Sequence, residues 1–165
     1  MKLMVALLMT FSVVSAGLIP AQESKIEVNR FHLEVIDGAV ARAAVSNDGP
    51  DGQPAVTAVV SKIGEEFWSV ELRAPDVNFD PGKTYEVKFQ AKVVPPQFIY
   101  VVPEKMDENQ ASAAEGTILQ IPDQWTDCSV VFHTSDTANP GRLTLSSLSA
   151  NPASYSFSNF RVSEK

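Results

Sequence analysis

The stretch that most limits what this chain can fold into is residues 67–93, FWSVELRAPDVNFDPGKTYEVKFQAKV. Every second residue is apolar in Trp68, Val70 and Leu72, and again in Tyr85, Val87, Phe89, Ala91 and Val93. A period of two belongs to strands with one face on a core and the other in water. Between the two runs, Asp80-Pro81-Gly82-Lys83 is a reverse turn, because proline presets a negative φ and glycine accepts a positive one. Strands of this kind cannot bury their apolar faces alone, so the remaining chain must supply a facing layer.

The flanking sequence has the same grain. Phe31, Leu33 and Val35 alternate, Asp37-Gly38 makes a hairpin-type turn, and Ser46 to Pro54 is rich in Asp, Gly and Pro. Pro95-Pro96 closes the strand that ends at Val93, since proline cannot donate to a ladder. Residues 39–45, 56–60, 97–102, 117–121, 125–134, 143–145 and 155–162 read as further strands. The stretch 103–116 has helical composition without an apolar stripe and reads as an exposed loop with at most one helical turn. About ten short strands at roughly 8–12-residue spacing predict an all-β sandwich or jelly roll.

Composition removes several function classes. With 165 residues, 44% of them hydrophobic, the chain suits one domain with a sizeable core. A net charge of −7 argues against a nucleic-acid partner, whose affinity rests on neutralised phosphates. Cys128 is the single cysteine, which excludes an intramolecular disulfide, a thiolate zinc cluster and a CxxC redox pair. His32 and His133 are about a hundred residues apart, and no HExxH, GxSxG, Walker loop or GxGxxG is present. The acidic residues lie in loops or alternate with apolar strand residues, as on a solvated face. We therefore expect no enzyme.

Met1-Lys2, the apolar run Leu3 to Val14 and the small residues Val14-Ser15-Ala16 form a secretory signal, residues 1–21, with cleavage near 16 or 21. The apolar run is shorter than the ~20 residues a membrane-spanning helix needs. No cysteine follows it to carry a lipid. The expected product is a secreted or periplasmic single domain over 22–165, with no membrane association after cleavage.

Trp68-x-Val70-x-Leu72, followed by Pro81-Gly82-Lys83-Thr84-Tyr85-x-Val87-x-Phe89-x-Ala91-Lys92, resembles the centre of the carbohydrate-binding modules of families four and nine. The likeness extends from about residue 37 to 162. It implies a galactose-binding-like jelly-roll β-sandwich of two antiparallel sheets and non-catalytic binding of a polysaccharide or oligosaccharide, a β-glycan by preference. It also implies a partnership with other secreted carbohydrate-active proteins. The alternative from a different class is a structural or adhesive sandwich that has lost its sugar.

Sugar binding needs flat rings for the apolar faces of pyranoses, with amides, carboxylates or guanidiniums for their hydroxyls. Strand parity selects candidates that face away from the core. With Ile99 and Val101 inward, Phe98 and Tyr100 face out together. With Tyr85, Val87 and Phe89 inward, Gln90 faces out, and with Cys128, Val130 and Phe132 inward, so does His133. Trp68 shares parity with Val70 and Leu72 and is core by default, freed for stacking only by a bulge or a strand end. Glu71 stands where the family commonly has a glutamine. Trp125 resembles the family's structural tryptophan and is expected in the core. The expected ligand-binding set is Trp68, Glu71, Gln90, Phe98, Tyr100 and His133.

No cofactor is required. Family members often hold a structural calcium near the chain ends, and Ser158 occupies a position where an aspartate is common. The resemblance leaves calcium open without predicting it.

Overall fold

The computed structural model describes residues 23–107 and 110–165; the expected signal segment lies outside them. Eleven strands form two antiparallel sheets. In chain order they are β1 (Glu23–Ile26), β2 (His32–Val35), β3 (Val40–Ser46), β4 (Ala55–Lys62), β5 (Val70–Pro75), β6 (Thr84–Val94), β7 (Gln97–Lys105), β8 (Thr117–Ile121), β9 (Thr126–His133), β10 (Gly141–Ser146) and β11 (Ala153–Glu164).

One sheet, here the back sheet, has the order β3-β4-β11-β6-β9, with β1 completing the edge of β11 beyond β4. The front sheet has the order β2-β5-β10-β7-β8. From β4 onward the chain changes sheet at nearly every connection, the hairpin β7–β8 being the exception. This weaving makes the predicted jelly-roll sandwich, all-β and two-layered.

Alternation explains which side chains meet between the layers. Val70, Leu72 and Ala74 from β5 face Val87, Phe89, Ala91 and Val93 from β6 in one continuous core. Aromatic rings fill its centre: Phe89 stacks on Phe160 at 5.1 Å between centroids, and Phe31 meets Phe160 at 4.6 Å. Such pairs add about 0.5–1.5 kcal/mol beyond the area they bury. Between Ser158 and Arg161 a bulge places two residues of β11 opposite Phe89. Asn159 takes a left-handed conformation there (φ 55°) and Phe160 drops into the core.

Five sequence expectations change. Glu23–Ile26, where the sequence names no strand, form β1: its backbone pairs with β11 and Ile26 enters the core. Asp37 and Gly38 both adopt positive φ and close a tight turn, with Ala39 N–H donating to Ile36 O at 3.1 Å. The strands it joins nevertheless belong to different sheets, so the turn is a corner and not a hairpin. β7 does not stop at Pro103. The Pro103 carbonyl points to the loop side, accepting from Ala113 N–H at 2.9 Å, so the missing proline donor is not on the side of β10. That loop is less exposed than its composition implies, for Ala113 and Ala114 are buried. Finally, Trp125 is half-buried just before β9 and not a core residue. Among the described residues no helix is long and apolar enough to cross a membrane.

Candidate functional site

The outer face of the front sheet carries the candidate site. β5 and β7 both run antiparallel to β10, so they are parallel to each other. Their outward residues form rows across the sheet. Arg73, Thr144 and Val102 lie in one row, Arg142 and Glu104 in the next, and Ser146 pairs with Tyr100 beside Glu71. β2 adds Glu34 opposite Glu71 and His32 opposite Arg73; β8 adds Ile118 opposite Tyr100 and Gln120 opposite Phe98. With strands about 4.8 Å apart, the backbones of Glu71 and Tyr100 are separated by about 10 Å.

A cleft of about 240 Å³ opens over these rows, lined by Phe67, Trp68 and Tyr100 together with Glu71, Arg73 and Glu104. Trp68 is 42% exposed although Val70 and Leu72 are fully buried. Parity fails there for a physical reason: β5 begins only at Val70, and Trp68 belongs to a turn closed by Ser69 N–H donating to Glu66 O. Its ring meets Phe67 edge-on, 4.5 Å between centroids at 81°. Tyr100 is half-buried and held from behind by the loop before β8. Its hydroxyl accepts from Gly116 N–H at 3.1 Å, and a Cβ on Gly116 would stand 2.3 Å from the ring. Glycine at 116 is thus required by a close approach. Phe98, two residues along β7 on the same face, is 55% exposed and lies outside the cleft lining.

The polar half is a desolvated ion network. Glu71 is 5% exposed. Arg73 donates to its Oε2 from Nε at 2.9 Å and from Nη2 at 2.6 Å, and pairs with Glu34 through Nη1. Arg142 donates to Glu104 Oε2 at 2.8 Å, and the Thr144 hydroxyl donates to the same oxygen at 2.6 Å. Gln110 Oε1 joins the halves, accepting from Arg73 at 3.2 Å and Arg142 at 3.1 Å. Burial pushes the Glu71 carboxyl above its ordinary range, with the charge of Glu104 adding to the rise and Ser146 and Arg142 opposing it. Burial, and then the like charge of Arg142, lower the Arg73 guanidinium from its usual value. Three carboxylates face two guanidiniums, so the floor keeps a slight excess of acceptors.

Residues 37–152 match the family described as Carbohydrate binding domain, CBM4/9, which is most of the chain. The chain belongs to that family. No curated protein matches the sequence. Among solved structures, a CBM4 module aligns with TM-score 0.65 at 18% identity, covering 82% of this chain and 86% of that one. The N-terminal cellulose-binding domain of β-1,4-glucanase C from Cellulomonas fimi aligns at 0.60 and 12%, covering 82% and 88%. The family 11 module from Clostridium thermocellum, in complex with a β-1,3-1,4-mixed-linked tetrasaccharide, aligns at 0.63 and 9%, covering 85% and 94%. At these identities the likeness concerns the fold.

Within this carbohydrate-binding module the expected set divides. Trp68, Glu71 and Tyr100 share the front cleft, with Phe98 beside it. Gln90 and His133 do not join it, because β6 and β9 belong to the back sheet. Gln90 bonds Asp127 and Asn159 there, and His133 is an exposed strand-end residue 3.2 Å from the Thr84 hydroxyl. Sequence reading missed Arg73, Glu104, Arg142, Ser146 and Gln110. Glu104 continues the outward parity of Phe98 and Tyr100, and Arg142 that of Thr144, so both were findable once β7 was carried past Pro103. Gln110 sits in a loop and has no periodic signal.

The residues near the chain end do not fit calcium. Ser158 is fully buried and its hydroxyl donates to Pro54 O at 2.7 Å, so donor and carbonyl satisfy each other where the ion would need charged oxygens. Among the described residues no group of three His, Cys, Asp or Glu could hold a metal.

Proposed function

We propose that this module is exported and binds a neutral β-linked poly- or oligosaccharide, without catalysis, along the front cleft. The observation that carries this reading is the meeting, on one sheet face, of Trp68 and Tyr100 with a buried network of carboxylates and guanidiniums. Rings supply flat apolar faces for sugar rings, Glu71 and Glu104 supply acceptors for hydroxyls, and the Gln110 amide nitrogen supplies a donor. Phe98 extends the platform to a longer chain. The ligands of the solved relatives, cellulose and a mixed-linked β-glucan, support this ligand class. Affinity is modest, since each new hydrogen bond replaces one to water at a net gain of about 1 kcal/mol.

A structural or adhesive sandwich without sugar is favoured by one feature: both arginines are already satisfied within the chain. Electrophoresis through gels containing soluble β-glucan, xylan or no polysaccharide separates the two readings. Retardation by a β-glycan, lost in Trp68→Ala/Tyr100→Ala, supports the sugar reader. Unretarded migration in all gels supports the other. Recovery of the mature chain from culture medium or periplasm, cut near residue 16 or 21, tests export.

A further inference from the structure

The back sheet holds a second cavity, of about 710 Å³, where β6, β9 and β11 run side by side on the side of the sandwich away from the front cleft. The ladder sets Gln90 opposite Asp127 on β9 and Ser158 on β11, at the point where the β11 bulge begins. The bulge turns Asn159 outward, and its amide nitrogen donates to Gln90 Oε1; Gln90 Nε2 in turn donates to Asp127 Oδ1 at 3.0 Å. This chain fixes both amides while using only part of their capacity. Among the described residues the second N–H of each amide, Asn159 Oδ1 and Asp127 Oδ2 form no hydrogen bond to another side chain. Gln53 adds a further amide at the wall, and Ser129, engaged by Glu86, lies beside it.

Alternating donors and acceptors, held in place by one another, match adjacent hydroxyls on a sugar ring. Charge points the same way. The cations at the rim are occupied, Lys88 by Glu86 at 3.3 Å and Arg161 by Glu23 at 2.7 Å, so an anionic ligand would meet Asp127 without a free counter-charge. Cys128 also lines the cavity, but burial pushes its thiol up to about 11, which leaves it protonated and unsuited to covalent chemistry or metal ligation. Phe89 forms part of the wall yet is buried against Phe160, so no ring face is offered for stacking.

We propose that this cavity is a second saccharide site, taking one or two neutral sugar rings by hydrogen bonds alone. Binding there is weaker than in a cleft with aromatic platforms, and a module with sites on opposite faces can bridge two glycan chains.

The test is an amide-resolved NMR titration of the full chain and of Trp68→Ala/Tyr100→Ala with β-1,4-linked glucohexaose and xylohexaose. The expected result is two groups of shifts. The group at the side-chain amides of Gln90 and Asn159 saturates at roughly tenfold or more higher sugar concentration, persists in the double variant, and is weakened at least tenfold by Asp127→Ala. Unmoved Gln90 and Asn159 amides with both sugars, or shifts that are the same in Asp127→Ala, overturn the proposal. Absence of the front shifts from the full chain, with the Gln90 and Asn159 shifts present, counts against the front cleft and leaves the back site standing.

Discussion

The two outer faces of this sandwich obey the same alternation and end up in opposite physical states. On the back face, charged residues form small separate groups: the exposed Lys88 and Lys165 cover Glu86, Arg161 pairs with Glu23, and Lys83 with Glu164. On the front face, Glu71, Arg73, Glu104 and Arg142 lie low under a cleft with aromatic walls. Two glutamates show the contrast. Hydrogen bonds from Lys165 and Ser129 hold Glu86 down to about 2, whereas burial pushes Glu71 up. Period-two patterning determines that a residue faces outward. What covers it is decided by the strand order and the loops.

The sharpest way to break this contrast is to remove one cation from each face. Arg73→Met strands Glu71 and Glu34, and should cost about 3 kcal/mol in urea unfolding, while Lys88→Met should cost under about 1 kcal/mol. Restoring most of the loss with Glu71→Leu in the Arg73→Met background would confirm that an unpaired buried charge is the cause. Equal effects on the two faces would remove the distinction.

Next in size is the ring pair. Trp68→Ala should weaken β-glycan binding by about 2 kcal/mol, roughly thirtyfold, with stability nearly unchanged because the ring is outside the core. His133→Ala on the back sheet should leave front-cleft binding as it was. A smaller effect is expected from Gly116→Ala. The added methyl displaces the Tyr100 ring, with a cost of about 1–2 kcal/mol in stability and up to about tenfold in affinity.

The smallest effects are in pH dependence, and their signs differ. Glu86 binds fewer protons folded than unfolded, so its contribution grows as pH rises from about 2 through the ordinary 4.5 and is lost in acid. Glu71 binds more protons folded than unfolded, so its contribution falls as pH rises above 4.5. Stability measured against pH should lose its acid-side rise in Glu86→Gln and its decline above 4.5 in Glu71→Gln.

Much of this was legible in the sequence. The Phe98/Tyr100 face could be read because Ile99 and Val101 fix the register of β7, and both are fully buried. The sandwich itself followed from the alternation around the Asp80-Pro81-Gly82-Lys83 turn. Trp68 is core by default under a rule that holds only inside a strand; the strand starts two residues later, and that strand end leaves the ring exposed, as its place in the expected binding set requires. Gln90 and His133 were grouped with the cleft because parity reports a face of a strand and not which sheet that strand joins. The ion network was hidden for a related reason: Glu71, Glu104 and Arg142 become neighbours only through β10, a pairing between distant segments.

The most direct single measurement is the tryptophan emission of the full chain during titration with a β-linked hexaose, beside the same titration of Trp68→Phe. A ring at the mouth of an occupied cleft predicts a saturable change in intensity and wavelength in the parent chain, largely absent in Trp68→Phe. Emission that stays constant while retention on the same glycan is observed would put the sugar elsewhere and contradict the front-cleft assignment.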